Sequence, residues 1–192
     1  MAINLSLAAI KSCTICKPQL PHPPRPVVTA SETSKIIIIG QAPGRRVHDT
    51  GIPWNDPSGD LLRSWMGIGK ETFYNTEMIA LMPMGFCYPG KGKSGDMPPR
   101  PECAPRWHAE LLEQMPERKL IVLIGQYSQA YYLGKLRQKS LAETVKRHTD
   151  YLPDFFPLPH PSPRNRLWLK NNPWFDRDVL PAFRATVNHL LR

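Results

Sequence analysis

Acidic residues are scarce in this chain. Sixteen Asp and Glu face 25 Lys and Arg in 192 residues, leaving a formal charge of +9. That imbalance favours a polyanionic partner, nucleic acid first and an acidic membrane surface second; an ordinary basic enzyme is the plainer alternative. Long hydrophobic runs are also missing. No apolar span reaches the roughly 18 residues that a membrane-crossing helix needs. The mildly apolar start Met1–Ile10 is too short for a secretory signal, so the expected location is cytoplasmic. No internal repeat or domain boundary is visible, and the expectation is one domain over residues 1–192. The chain's glycine-rich loop lacks both the Lys-Ser/Thr of a P-loop and the dinucleotide fingerprint, which argues against a phosphate-binding enzyme of those kinds.

Proline, by contrast, is abundant, with 22 residues gathered in stretches such as Pro18–Pro26, Pro98–Pro105 and Pro153–Pro163. These predict long ordered loops. Ile36–Ile39 and Leu120–Ile124 are continuous apolar runs closed by Gly40 and Gly125, as strands buried on both faces of a parallel sheet would be. Thr76–Met82 and Phe155–Leu158 are weaker strand candidates. Helical spacing is read over Ser58–Met66 (with Ser58 as N-cap), Pro105–Met115, Gln126–Leu133, Leu141–His148 and Val179–Leu191. The alternation predicts an α/β layered fold, with ligands at the carboxyl ends of the strands.

Two loops sit at such ends. Gly40-Gln41-Ala42-Pro43-Gly44 follows the first strand, and its small residues let backbone approach a ligand closely. His160-Pro161-Ser162-Pro163-Arg164-Asn165 follows the last strand. Its prolines stiffen a turn that leads into Arg164 and Arg166, a part suited to an anionic substrate. Between them, Trp54 is held by Pro53 and Pro57, either as core or as a platform for a flat ring. In the stretch Arg166–Phe175, packing is expected of Trp174 and Phe175 and DNA contact of Arg166. The four cysteines form Cys13-x-x-Cys16 and a distant pair, Cys87 and Cys103. The first spacing is a common half-site for zinc or an iron–sulfur cluster; free thiols are the alternative.

Taken in order, Gly-Gln-Ala-Pro-Gly after a strand, Thr50-Gly-x-Pro-aromatic, and His-Pro-Ser-Pro after a late strand resemble the uracil-DNA glycosylase superfamily, most closely its four-cysteine, iron–sulfur branch. The resemblance implies a three-layer αβα sandwich with a central, mostly parallel four-stranded sheet. It implies a monomeric DNA repair enzyme that flips a deaminated base, uracil first, and hydrolyses its N-glycosidic bond. His160 would stabilise the leaving base, with Gln41 and Asp49 as further catalytic candidates; His48 and Asp56 are nearby substitutes for positioning water. Gly40, Ala42, Trp54 and Glu77 would meet the base. Arg46, Pro161, Ser162, Arg164 and Arg166 would meet DNA, the Pro-rich turn acting as a wedge. Cys13, Cys16, Cys87 and Cys103 would hold a [4Fe–4S] cluster. The chain departs from the family where Gln41-Ala42 carries no acid and where Thr76–Pro83 carries no Asn. A non-catalytic or differently specific DNA-binding member of the same fold is the alternative.

Overall fold

The computed structural model describes residues 2–93 and 95–192. Four strands, β1 (Ile36–Ile39), β2 (Ile79–Leu81), β3 (Leu120–Ile124) and β4 (Phe155–Leu158), form one sheet in the order β2-β1-β3-β4. Every pairing is parallel, with Ile37 opposite Ala80 and Ile121, and Val122 opposite Phe156. The helices are α1 (Ala2–Lys11), α2 (Arg45–Thr50), α3 (Pro57–Met66), α4 (Lys70–Tyr74), α5 (Cys103–Glu113), α6 (Gln126–Leu133), α7 (Leu141–Lys146), α8 (Arg166–Asn171) and α9 (Leu180–Leu191).

The continuous apolar strands are explained by two cores. Ile36, Ile38, Val122 and Phe156 point to one face, against Leu62, Trp65 and Met66 of α3 and Phe183 and Val187 of α9. Ile37, Ile39, Ala80 and Leu123 point to the other, against Ile3 and Ile10 of α1, Trp107 and Leu111 of α5 and Leu133 of α6. Side chains alternate between faces along each strand, so only helices on both sides bury all four isoleucines of β1. The result is the expected αβα sandwich.

Two local expectations are corrected. Asp56, not Ser58, caps α3: its Oδ1 accepts the Gly59 N–H at 2.8 Å, and Pro57 takes the first helical position, where a missing N–H costs nothing. β2 is confined to Ile79–Leu81, because Met78 and Ile79 donate their N–H groups to the Asn75 carbonyl in a turn. The apolar start is a helix whose buried Ser6 hydroxyl donates to Glu110 Oε1 at 2.6 Å. Trp174 and Phe175 do pack on the α3/α9 core, whereas Leu167 is exposed.

Candidate active site and cysteine centre

The chain runs from β1 outward to β2, then returns past β1 to β3. The sheet order therefore reverses between β1 and β3, where the loops leaving the two strands diverge and open a crevice. A cleft of about 620 Å³ lies there, within the range of roughly 300–1,000 Å³ usual for small-molecule sites. It is lined by Gly40–Gly44 after β1, Pro83 after β2, Gln126 and Tyr127 after β3, and His160, Ser162, Arg164 and Asn165 after β4.

Gly40 is required by a close approach. A Cβ there would come within 2.8 Å of Trp54 Cζ2. Trp54 holds a left-handed backbone (φ 55°), a conformation that a bulky residue adopts at a cost and only when its surroundings impose it. Two contacts impose it. A Cβ at Gly59 would lie 1.8 Å from the Trp54 carbonyl oxygen, so α3 starts directly on that backbone. The buried Arg63 guanidinium donates to the same oxygen at 3.3 Å, while lying over the Phe73 and Tyr74 rings. Thus held, the indole stacks beside the His160 imidazole, with ring centroids 5.9 Å apart and planes inclined by 29°.

His160 is fixed from behind. Gln129, almost fully buried, donates through Nε2 to the Leu158 carbonyl at 2.9 Å and the Leu123 carbonyl at 3.3 Å, clamping the ends of β3 and β4 together. Asn165 Nδ2 donates to the His160 carbonyl at 2.8 Å, closing the loop on itself. Desolvation pushes the imidazole pKa below its ordinary value, opposed by the nearby Asp56 carboxylate. The ring is therefore neutral at pH 7, with one N–H to donate. On the far side, His108 bridges Tyr132 OH (2.7 Å) and the Pro83 carbonyl (3.1 Å), and burial pushes its pKa down to about 4. Only an N–H can serve the carbonyl, so Nε2 donates to Pro83 and Nδ1 accepts from Tyr132.

Of the residues singled out in the sequence, the cleft gathers Gly40, Gln41, Ala42, Trp54, Asp56, His160, Ser162 and Arg164. Gln41 Nε2 donates to the Met97 carbonyl at 3.0 Å. Others lie elsewhere. Asp49 is exposed outside the lining and paired with Arg45 at 3.0 Å. Glu77 is exposed at the amino end of β2, opposite the cleft, because the strand starts later than its sequence suggests. Arg46 projects from α2 and Arg166 begins α8, both exposed beyond the lining. Pro161 is buried, so the outer surface of the turn is carried by its neighbours, with Pro163 and Arg164 exposed. Sequence reasoning did not single out Arg63, Gln129, His108, Gln126, Tyr127 or Asp96. A Gln directly after a strand-closing Gly was the one local signal, at Gly125-Gln126.

The four cysteines, far apart in sequence, line a second cavity with Leu20, Pro24, Pro26, Phe86 and Trp107. Cys103 Sγ accepts the Phe86 N–H at 3.3 Å. Burial pushes the Cys87 thiol up to about 11 and the Cys103 thiol up to about 12. Among the described residues, no three His, Cys, Asp or Glu side chains converge closely enough to share one metal ion.

The sheet, the switch-point cleft and the aromatic–imidazole pair within it define an α/β protein whose candidate site lies at the carboxyl ends of its strands. The uracil DNA glycosylase superfamily model matches residues 27–184, from just before β1 into α9, and the chain belongs to that superfamily. Among solved structures, it is similar to the solution NMR structure of a candidate uracil DNA glycosylase from Methanosarcina acetivorans, at 20% identity and TM-score 0.49. That match covers 83% of this chain and 94% of the other.

Proposed function

We propose that this chain is a single-domain, monomeric DNA glycosylase that hydrolyses the N-glycosidic bond of a flipped, deaminated base, uracil first. The observation that carries the reading is the neutral His160 ring held against Trp54 in the switch-point cleft. A base entering the cleft stacks on Trp54, worth about 1–3 kcal/mol toward the cost of unstacking it from the helix. As the C1′–N bond lengthens, its electron pair moves onto the base. A neutral imidazole N–H then donates to the base oxygen where that charge collects, and removing such a donor typically costs about 10²–10³ in rate. Arg164, exposed at the mouth, and Arg166 at the start of α8 suit backbone phosphates, in keeping with the charge of +9. A protein acting on DNA in this way would work in the cytoplasm; among the described residues no helix is long and apolar enough to cross a membrane.

Oligonucleotides carrying uracil, hypoxanthine or xanthine test the reading. Alkali-labile product from at least one of them is expected, with a loss of about 10²-fold or more in His160→Ala. Tight binding without abasic product on every substrate refutes catalysis and leaves a DNA-binding member of the fold.

Cys13, Cys16, Cys87 and Cys103 fit a [4Fe–4S] cluster. They line one cavity although far apart in sequence, and thiolates are the ligands such a cluster takes. When bound, the cluster supplies its thiolate–iron bonds as a structural staple, joining the segment after α1 to the start of α5. A sulfur-to-iron absorption band and iron analysis are the test, and a colourless, metal-free, folded protein overturns the assignment.

A further inference from the structure

Hydrolysis needs a group that holds water against C1′, and Gly40–Gly44 carries no acid. The structure brings carboxylates to this loop from elsewhere. An atom placed at the Cβ position of Gly44 would lie 3.4 Å from Asp96 Oδ2 and 3.9 Å from Asp56 Oδ2. Both residues line the same cleft as His160.

We propose that Asp96, carried into the cleft by the segment 85–101, is the carboxylate that orients and deprotonates the attacking water, with Asp56 as its fixed companion. The inference rests on the glycosylase reading above. The two carboxylates are unequal. Asp56 is committed through Oδ1 to the amino end of α3. Asp96 has no helix to cap. Its backbone is held by an antiparallel bridge to Lys91, while Gly92 N–H donates to the Gly95 carbonyl at 2.6 Å and Met97 N–H donates to the Gly90 carbonyl at 2.8 Å. The groups facing it are Arg164, Asp56, the Tyr88 hydroxyl and Lys91. Burial, assisted by Asp56, raises its pKa above the usual carboxylate value, against the pull of Arg164 and Tyr88. That moves its basicity toward working pH, as a general base requires.

The step balances without a co-reactant. The water oxygen bonds to C1′ as the C1′–N bond breaks, and the electron pair of that bond leaves with the base under the His160 donor. The water's proton passes to Asp96, then to the departing base or solvent. The products are an abasic sugar bearing a hydroxyl and the free base.

The test measures single-turnover cleavage of the substrate found by the damage panel. In parallel, it measures affinity for a duplex whose target nucleotide carries a 2′-fluorine that blocks cleavage. Asp96→Asn is expected to lower the rate by about 10²–10⁴-fold and to keep the affinity within about threefold. It should also abolish the fall in rate that acid pH causes in the wild type. An Asp96→Asn rate within about threefold of wild type overturns the assignment while leaving the glycosylase reading intact. Parallel loss of rate and affinity overturns it too, in favour of a structural role. Wild type that yields no abasic product overturns both readings.

Discussion

Replacing Gly40 by Ala tests whether the Trp54 platform is as tightly boxed as its contacts imply. The added methyl would sit 2.8 Å from Trp54 Cζ2, whereas carbon atoms rest at about 3.5–4.0 Å, so the ring must yield by roughly 0.7 Å or more. It has little room. His160 stacks on it, its carbonyl is held by Arg63, and its backbone abuts Gly59. Overpacking of this kind costs about 1–3 kcal/mol. For a domain of this size each kcal/mol lowers the melting temperature by about 2–4 °C, giving an expected drop of about 2–12 °C. Displacing the indole should also weaken binding of a flipped base by part of its stacking energy, up to about 1–3 kcal/mol. Thermal unfolding and fluorescence titration with an uncleavable duplex measure the two effects. The decisive control is a double-mutant cycle, since Trp54→Ala removes the obstacle. Gly40→Ala should be nearly neutral in that background. Equal destabilisation with and without the indole would refute the steric argument.

Two further outcomes follow from buried groups. His108 is neutral in the fold with a pKa near 4, against about 6.5 when unfolded. As pH falls from about 6.5 to 4, the unfolded chain takes up a proton that the folded chain refuses, so stability should decline by about 3 kcal/mol and then level off. Urea unfolding across that window should show this slope in wild type, and a shallower one in His108→Gln. Cys103→Ser should abolish the visible absorbance of the iron-loaded protein, and limited proteolysis should then cut first near residues 12–26. Retention of the full band would remove Cys103 from the ligand set.

Much of the framework was legible because it depends on local pattern. Ile36–Ile39, Leu120–Ile124, Phe155–Leu158 and Gln126–Leu133 occupy the predicted ranges; for the first two, an apolar run with β-branched residues closed by Gly has few other uses. The placement of His160 and Trp54 at the cleft was legible through their flanking prolines. Glu77 and Asp49 were misplaced for different reasons. One depended on where a short strand begins, which the Asn75 turn decides. The other depended on nearness in sequence to the Gly-rich loop, although α2 carries it away from the cleft. Asp96, Gln129 and His108 were not legible, because each lies near a segment that only tertiary folding brings to it: Gly44, Leu158 and Pro83 respectively.

The segment carrying Asp96 leaves and rejoins the body of the molecule at almost one place. A Cβ at Gly85 would lie 3.3 Å from the Arg100 backbone nitrogen, and Phe86 is hydrogen-bonded to Cys103. A loop whose ends already meet can change length at little entropic cost, about 0.6 kcal/mol per doubling. Beyond Phe86 and Cys87, which are tied to the core and the cysteine cavity, the outer wall of the cleft is thus a replaceable cassette on an unchanged sheet. Variation in its length or sequence can retune chemistry at the mouth while Trp54 and His160 stay in place.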